Sequence, residues 1–225
     1  GDTIKDKLAR FCNVDKESVI QSIDASTIYD VPNLMLEEGL DKVVLKKLNL
    51  KSDKPNLDVW NSFLKRYRNP KNKIKIGLIG KYVELQDSYK SILESFIHAG
   101  ATNEVEVEII SIHSEYINKE NVHSKLAYLN GVLVAPGFGE RGIEGKIQAI
   151  EYVRVNKIPF FGICLGMQMA VIEFARNKLN LTNATSSEFG SSKASVVGLM
   201  SEWRKDGKLM KGTDKDLGGT MRLGS

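Results

Sequence analysis

The sequence predicts an α/β fold: a doubly wound, mostly parallel sheet that follows a short helical N-terminal segment. First, short apolar runs alternate with helical patterns from residue 74 onward, as repeated strand–helix units do. Second, the runs at 74–79, 131–135 and 159–164 are mostly apolar, as strands covered on both faces require, whereas residues 105–112 alternate. Third, 42% of the 225 residues are hydrophobic and 27% are charged, so the chain can bury a core.

Residues 1–48 predict short helices. Helical patterns cover residues 5–11 and 32–38, where Pro32 suits a first helical turn and Gly39 suits a C-terminal cap. These helices have too few large apolar side chains for an independent core. We therefore expect this segment to be the edge of another structure.

Residues 49–73 predict a basic linker. Eight Lys or Arg lie between positions 51 and 75 with only two Asp, and three aromatic residues there recur with helical spacing. A nucleic-acid or anion surface is one interpretation, but the net charge of the whole chain is only +4. We favour a connecting helix that docks through its aromatic stripe, which consists of Trp60, Phe63 and Tyr67.

Strand and helix patterns then alternate four times. The predicted strands are residues 74–79, 105–112, 131–135 and 159–164, and the predicted helices are residues 89–97, 125–129, 143–156 and 165–179. In doubly wound sheets, ligands bind beyond the carboxyl ends of the strands. We therefore expect the functional residues in the loops after Ala135 and Cys164.

Residues 162–166 spell Gly-Ile-Cys-Leu-Gly where the fourth strand meets its helix. This is a G-x-nucleophile-x-G turn with Cys164 in the nucleophile position. The flanking glycines permit a sharp turn that exposes the thiol, and the amides at the helix N-terminus favour its thiolate. The N–H of Leu165 is a candidate oxyanion donor. A buried, unreactive cysteine is the alternative, and we favour the nucleophile.

Residues 137–142 spell G-x-G-x-x-G between a strand and a helix. A dinucleotide site would also need a carboxylate at the end of the next strand, but residues 161–164 contain none. Pro136, directly before the first glycine, also argues against a pyrophosphate turn. We interpret the segment as a glycine loop beside Cys164 that supplies a second oxyanion amide near Gly137.

Composition argues against several other classes of site. The two Cys cannot form a disulfide scaffold, and the three His have no partners at metal spacing, so we expect no metal site. No apolar run approaches the roughly 20 residues of a membrane span, and the first residues are not those of a signal peptide. We expect a cytoplasmic protein with neither a membrane nor a nucleic acid as partner.

Taken together, the motifs resemble the CTP synthase family. The resemblance implies the flavodoxin-like or Rossmann-like fold of a class I glutamine amidotransferase. It also implies three regions: the C-terminal edge of the synthase (amidoligase) domain at 1–48, a basic interdomain linker at 49–73 and a glutamine amidotransferase domain at 74–225. The segments that resemble the amidotransferase domain are 81–85, 137–142, 162–168, 188–189, 201–204 and 217–224, and those that resemble the synthase domain are 11–14 and 26–32.

The resemblance implies roles for individual residues. Cys164 would attack the side-chain amide of glutamine and form a glutamyl thioester, while Gly137 and Leu165 would form the oxyanion hole. Glu188 would bind the ammonium group of glutamine. The implied glutamine-binding residues are Gly137, Leu165, Gly166, Met167, Gln168 and Glu188, and the implied remnants of a nucleotide site are Lys7, Ile23, Asp24 and Ala25.

The resemblance also implies the chemistry of a whole enzyme. L-Glutamine would be hydrolysed, and the ammonia would pass through a tunnel to aminate UTP to CTP with ATP and Mg²⁺, while GTP would activate glutamine hydrolysis. The partners would be the rest of the synthase domain and further copies in a homo-oligomer, a tetramer. The 225 residues by themselves would hold no cofactor.

Two departures from the family pattern matter. The family has Pro-Gly-Gly-Phe-Gly where residues 135–139 are Ala-Pro-Gly-Phe-Gly, so Pro136 would stiffen the oxyanion loop. The His base of the family, its orienting Glu and a glutamine-binding Arg follow the Met-Arg-Leu-Gly motif at 221–224, whereas His98, His113 and His123 all precede Cys164. We therefore expect an amidotransferase domain without its C-terminal part and a fragment that is inactive alone.

Two other functions stay open. The chain could be a non-catalytic, flavodoxin-like regulatory or binding domain in which Cys164 is a relic. It could also be a cysteine hydrolase with another substrate, an interpretation that Glu188 and the synthase-like N-terminal segment disfavour.

Overall fold

The computed structural model of the chain describes residues 2–190, 194–198, 202–205 and 208–211. The Met-Arg-Leu-Gly motif at 221–224 and the rest of the motif at 217–224 lie outside the described residues, as does Ser201. The chain forms two compact units. The first contains Gly1–Lys71 and Ala99–Val105, and the second contains Asn72–His98 and Glu106–Ser225.

Four helices make up most of the first unit. The predicted helices at 5–11 and 32–38 are present as α1 and α2, and a glycine with a left-handed φ of +77°, Gly39, separates α2 from α3. Single 3₁₀ turns lie at Lys16–Ser18 and Ile28–Asp30. The helices are α1 (Asp2–Cys12), α2 (Val31–Glu37), α3 (Leu40–Leu48) and α4 (Asp58–Arg68).

The amphipathic helix predicted within residues 49–73 is α4, and it docks through its aromatic stripe. Trp60, Phe63 and Tyr67 surround the buried ring of Tyr29 at centroid distances of 6.0, 5.2 and 5.9 Å. The indole N–H of Trp60 donates to the carbonyl of Tyr29 at 2.8 Å. These contacts place α4 in the first unit, and the assignment of the segment as an interdomain linker stays a prediction.

The second unit is built on a four-stranded sheet with the order β2-β1-β3-β4. The pairs β1–β3 and β3–β4 are parallel, with Leu78 opposite Leu133 and Val134 opposite Gly162. This topology confirms the predicted α/β class with a mostly parallel, doubly wound sheet. The strands are β1 (Asn72–Gly80), β2 (Val105–His113), β3 (Gly131–Val134) and β4 (Phe160–Gly162).

Helices cover both faces of this sheet. Leu78 and Leu133 pack in one buried cluster with side chains of α5, whereas Ile79, Val132 and Val134 pack in another with side chains of α6, α7 and α8. The central strands are therefore buried on both sides, which explains their continuous apolar sequences. These helices are α5 (Lys90–Thr102), α6 (Val122–Leu126), α7 (Ile143–Val155) and α8 (Leu165–Lys178).

Several predicted boundaries were wrong. The helix expected at 89–97 continues to Thr102. The short helix expected at 125–129 begins earlier, at Val122, and ends at Leu126. The strand expected at 159–164 ends at Gly162, because Ile163 and Cys164 already form the turn into α8.

Short elements complete the described chain. Three 3₁₀ turns lie at Gln86–Tyr89, Ser114–Tyr116 and Ser187–Phe189. Two small sheets follow α8, one of the parallel strands β5 (Thr185–Ser186) and β6 (Ser195–Val197) and one of the antiparallel strands β7 (Glu202–Lys205) and β8 (Lys208–Lys211). Of the helices described, none is long and apolar enough to cross a membrane.

The strand order reverses between β1 and β3, and the chain leaves these strands at the edge where a doubly wound sheet binds ligands. Lys81 directly follows β1, and Ala135 directly follows β3. Cys164 lies two residues after β4. The loops that follow β1, β3 and β4 therefore begin at the same edge of the sheet.

Candidate active site

Cys164 occupies a strained turn between β4 and α8. Its φ of +52° and ψ of −111° lie outside the regions that L-residues normally populate. A residue held in such a conformation is typical of nucleophile turns and requires support from its surroundings. Cys164 is partly exposed, whereas Cys12 in the first unit is exposed.

Gly162 and Gly166 allow the backbone around this turn to pack closely, and this packing supports the strained conformation. Neither position has space for a larger side chain. A Cβ on Gly162 would lie 2.6 Å from the carbonyl carbon of Gly166. A Cβ on Gly166 would lie 2.1 Å from the carbonyl oxygen of Val134, at the end of β3. The first turn of α8 therefore lies directly against the sheet, and the glycine spacing predicted from the sequence is a packing requirement.

The first turn of α8 presents backbone N–H groups next to the thiol. Gly166 N–H donates to the carbonyl of Ile163 at 2.8 Å, and Gln168 N–H donates to that of Cys164 at 3.1 Å. The N–H of Leu165 forms no hydrogen bond to any other residue that the structure describes. An open amide at a helix N-terminus stabilises negative charge, so this group can serve as an oxyanion donor.

Gly137 in the glycine loop lies beside this turn. A Cβ placed on Gly137 would be 3.7 Å from Cδ2 of Leu165 and 3.9 Å from Nζ of Lys146. The structure thus brings together the two residues that were predicted to form the oxyanion hole, and it adds a lysine that was not predicted.

Lys146 is a buried cation under the glycine loop. Its side chain is fully buried, and its Nζ donates to the carbonyl of Ala135 at 2.9 Å. Burial, and secondarily the charge of Lys81, lowers the pKa of Lys146 to about 8, while the interaction with Cys164 acts in the opposite direction. The ammonium of Lys146 can therefore stabilise an anionic Cys164.

Lys81 is a second buried lysine, and it also binds the glycine loop. Its Nζ donates to the carbonyl oxygens of Phe138 and Gly139, the latter at 3.0 Å. Burial lowers the pKa of Lys81, and nearby Arg141 lowers it further, whereas Glu188 and Glu115 oppose this shift.

Glu188 reaches the glycine loop from the 3₁₀ turn after β5. Its Oε1 accepts a hydrogen bond from the N–H of Gly139 at 2.8 Å. Its own N–H donates to Oγ of Ser186 at 3.2 Å, which caps the turn. An exposed carboxylate is thereby fixed at the same loop that contacts Leu165, where it can bind an ammonium group.

The remaining predicted glutamine-binding residues lie in the first turn of α8. Gly166 is buried, Met167 is exposed and Gln168 is partly buried. The structure therefore collects Gly137, Leu165–Gln168 and Glu188 around Cys164 or its neighbouring loop. Their role in binding glutamine stays a prediction.

The predicted nucleotide remnants lie in the first unit. Ile23, Asp24 and Ala25 line a cavity of about 490 Å³. Lys7 is exposed on α1 and does not line this cavity. The charged lining residues are Asp24, Asp30, Glu37 and Arg68, and Arg68 is already paired with Asp30. Carboxylates thus predominate among the charged lining residues, and the role of residues 23–25 in binding a nucleotide stays a prediction.

The His, Cys, Asp and Glu side chains of the described residues form no group of three or more that is arranged to hold a metal ion. His113 Nδ1 accepts from the N–H of Glu115 at 3.4 Å, and His123 Nδ1 lies 3.0 Å from the hydroxyl of Tyr152.

Reasoning from the sequence missed Lys81 and Lys146 as members of the site. Lys146 interrupts the apolar face of α7 between the buried Ile143 and Ile150, and Lys81 directly follows an apolar strand. A lysine at a position where the pattern expects an apolar residue was the available signal, because a lysine is almost never fully buried without a partner.

Two family models match the chain. The model of glutamine amidotransferase class-I matches residues 84–225, and the model of the CTP synthase N-terminus matches residues 1–50. A solved structure described as the glutaminase domain of Trypanosoma brucei CTPS with bound acivicin is 37% identical, with a TM-score of 0.54. That match covers 56% of this chain and 50% of the solved one.

Curated relatives match along nearly the whole chain. The CTP synthases of Christiangramia forsetii and Flavobacterium johnsoniae are each 64% identical, over 100% and 99% of this chain. The CTP synthase of Methanocaldococcus jannaschii is 52% identical over 100% of it. The chain spans only 40 to 42% of the length of these relatives. The chain therefore belongs to the class-I glutamine amidotransferase family, and within that family it is similar to the CTP synthases along its whole length.

Proposed function

We propose that the second unit carries the nucleophile and the glutamine-binding loop of the glutaminase site of a CTP synthase. The observation that carries the proposal is the position of Cys164, in a strained turn at the start of α8 with Gly137 next to Leu165. Activity at such a turn depends on a thiolate and on amides that point at the developing oxyanion. The names of the relatives supply the reaction in which this site takes part.

In the proposed step, the thiolate of Cys164 attacks the side-chain carbonyl carbon of L-glutamine. The carbonyl oxygen becomes an oxyanion that the N–H groups of Leu165 and Gly137 stabilise. Collapse breaks the carbon–nitrogen bond, the nitrogen takes up the proton that the thiol lost when it ionised and leaves as ammonia, and a glutamyl thioester remains. Water then hydrolyses the thioester to glutamate and regenerates the thiol, so atoms and protons balance.

Recognition of the substrate is assigned to the glycine loop and Glu188. The carboxylate of Glu188 is held at 2.8 Å from Gly139 N–H, which leaves its other oxygen for the ammonium group of glutamine. A carboxylate fixed before substrate arrives binds with less loss of conformational freedom. The first turn of α8, residues 165–168, completes the pocket.

In the whole enzyme that we propose, the ammonia aminates UTP to CTP with ATP and Mg²⁺. GTP activates the glutaminase step of that enzyme. Its partners are the synthase domain and further copies in a tetramer. ATP supplies phosphoryl activation when it is bound elsewhere in such an enzyme. Ile23, Asp24 and Ala25 would contribute only part of that nucleotide site, and they line a cavity in the first unit.

A polypeptide of these 225 residues is expected to release almost no ammonia from glutamine. The reaction needs a base that activates the thiol, but the sequence contains no His after Cys164. His113 and His123 contact Glu115 and Tyr152 instead. Ammonia release by the wild-type polypeptide should not exceed that of Cys164→Ser. A rate at least tenfold above that of this variant would contradict the expectation.

Acivicin, an α-amino-acid electrophile, tests the proposed site directly. Cys164 Sγ displaces the chloride of acivicin and forms a carbon–sulfur bond, and the thiol proton passes to the buffer. We expect saturable labelling of Cys164 that L-glutamine slows and D-glutamine does not. Cys12→Ser should label normally and Cys164→Ser should not label, by mass spectrometry of peptides. Equal, unsaturable labelling of both cysteines would instead support the non-catalytic domain.

A further inference from the structure

We propose that Lys81 is a positioning residue for Glu188 and acts through the peptide bond between Phe138 and Gly139. The inference rests on the proposed function, because it assigns a cause to the orientation of the carboxylate that would bind glutamine. Lys81 itself contacts the glycine loop, through the carbonyl oxygens of Phe138 and Gly139.

The peptide between Phe138 and Gly139 has an ionised group at each end. Its carbonyl oxygen accepts from Nζ of Lys81, and its N–H donates to Oε1 of Glu188 at 2.8 Å. In a trans peptide, the C=O and N–H bonds point in opposite directions. The ammonium at the carbonyl end and the carboxylate at the amide end are therefore both aligned with the peptide dipole.

The loop needs such support because regular structure does not fix it. Residues 135–142 belong to no helix or strand. Gly139 has a φ of +71° with open space around it, so the local backbone can rotate at low steric cost. A second bond from Nζ of Lys81, to the carbonyl of Gly139 at 3.0 Å, restrains the peptide on both sides of this glycine.

The burial of Lys81 indicates a specific role for its hydrogen bonds to the glycine loop. The residue is 4% exposed, although desolvation of an ammonium is unfavourable unless hydrogen bonds compensate. Lys75 lies on β1, the strand that Lys81 follows, and it is exposed with its ammonium over the ring of Tyr128. Lys75 is therefore a matched control.

Removal of the Lys81 ammonium should allow the peptide between Phe138 and Gly139 to rotate. Glu188 would then lose its fixed orientation. The affinity of the site for an α-amino acid should fall, whereas the thiol chemistry of Cys164 should not change. Acivicin carries an ammonium group and iodoacetamide does not. A comparison of the two reagents therefore separates positioning of Glu188 from a general loss of structure.

The test compares Lys81→Met with the wild type and with Lys75→Met. We expect Lys81→Met to raise the half-saturating concentration of acivicin roughly tenfold, with the iodoacetamide rate at Cys164 within about twofold of the wild type. In a Glu188→Gln background the same substitution should have almost no further effect on acivicin. The inference would be overturned if Lys81→Met slowed labelling by acivicin and by iodoacetamide equally. It would also be overturned if Lys81→Met weakened acivicin binding as much in the Glu188→Gln background as in the wild type.

Nuclear magnetic resonance gives a readout that does not depend on glutamine chemistry. The Gly139 amide resonance should shift when either Lys81→Met or Glu188→Gln is made, and the double variant should shift it no further. An unchanged resonance in Lys81→Met would overturn the positioning role even if acivicin labels normally. If the wild type fails to saturate with acivicin, the proposed function fails and this resonance decides the role of Lys81. Lys81→Gln serves if Lys81→Met does not fold.

Discussion

The site has two halves, the turn at Cys164 and the glycine loop, and different interactions hold each of them in place. The turn at Cys164 is fixed by its own neighbours, because Gly162 and Gly166 leave no space for a side chain between β4, α8 and β3. The glycine loop is fixed by distant side chains: Lys81, Lys146 and Glu188 lie 57, 11 and 49 residues from their loop partners. The conformation of the turn therefore depends on side-chain volume, and that of the glycine loop depends on charged side chains.

This difference predicts different sensitivities to mutation. An added methyl group should disrupt the turn at Cys164, because close-packed backbone cannot move aside. A substitution that removes charge but keeps volume should leave the fold intact and alter the chemistry of the loop. The following variants test each half in turn.

The largest expected effect is the loss of stability in Gly166→Ala. The new Cβ would lie 2.1 Å from the carbonyl oxygen of Val134, so α8 or β3 must move. We expect the free energy of unfolding to fall by at least about 3 kcal/mol in urea denaturation. Gly198→Ala is the control, since among the described residues its Cβ would meet only Ser187 Oγ, at 4.0 Å. Equal stabilities of the two variants would contradict the packing account of the turn.

Lys146→Met should change how stability depends on pH. The pKa of Lys146 is lowered to about 8 by burial and by Lys81 and opposed by Cys164, so between pH 8 and 10.5 the unfolded chain binds more protons than the folded one. The wild type should therefore gain stability relative to Lys146→Met as pH rises through this range. A gain on the order of 1–3 kcal/mol is expected from urea denaturation at several pH values. A constant difference would show that Lys146 titrates normally.

The smallest effect concerns the reactivity of Cys164 in Lys146→Met. Loss of the buried ammonium removes a favourable interaction with the thiolate, so the rate of iodoacetamide labelling at pH 7 should fall about three- to tenfold. Lys75→Met, which removes an exposed lysine, should label at the wild-type rate. A faster reaction of Lys146→Met would reverse the assigned direction of the interaction.

The same contrast explains what the sequence could predict. The position of Cys164 between a strand and a helix, with a glycine on each side, was predicted because these features are consecutive in the chain. The glycine loop was located through Gly137, but the roles of Lys81 and Lys146 were not foreseen. Their burial depends on the order β2-β1-β3-β4, which brings the end of β1 next to the loop after β3. No local pattern encodes that neighbourhood.

Boundary errors have the same origin. The apolar run at 159–164 looks like one strand, yet the contact of Gly166 with Val134 forces the turn at Ile163 and Cys164. In the first unit, the aromatic stripe of α4 predicted a docking surface, but its partner Tyr29 lies about 30 residues earlier in the chain and no local pattern identifies it. Periodicity shows which side chains are buried and leaves their partners open.

A crystal structure of the acivicin-treated chain would show directly whether Cys164 and Glu188 act together on one ligand. We expect a covalent bond from Sγ of Cys164 to the ligand and an α-ammonium group within about 3 Å of the Glu188 carboxylate. Gly139 N–H should still donate to Glu188 in that structure. A ligand bonded to Cys12, or one bonded to Cys164 with its ammonium group directed away from Glu188, would contradict the account.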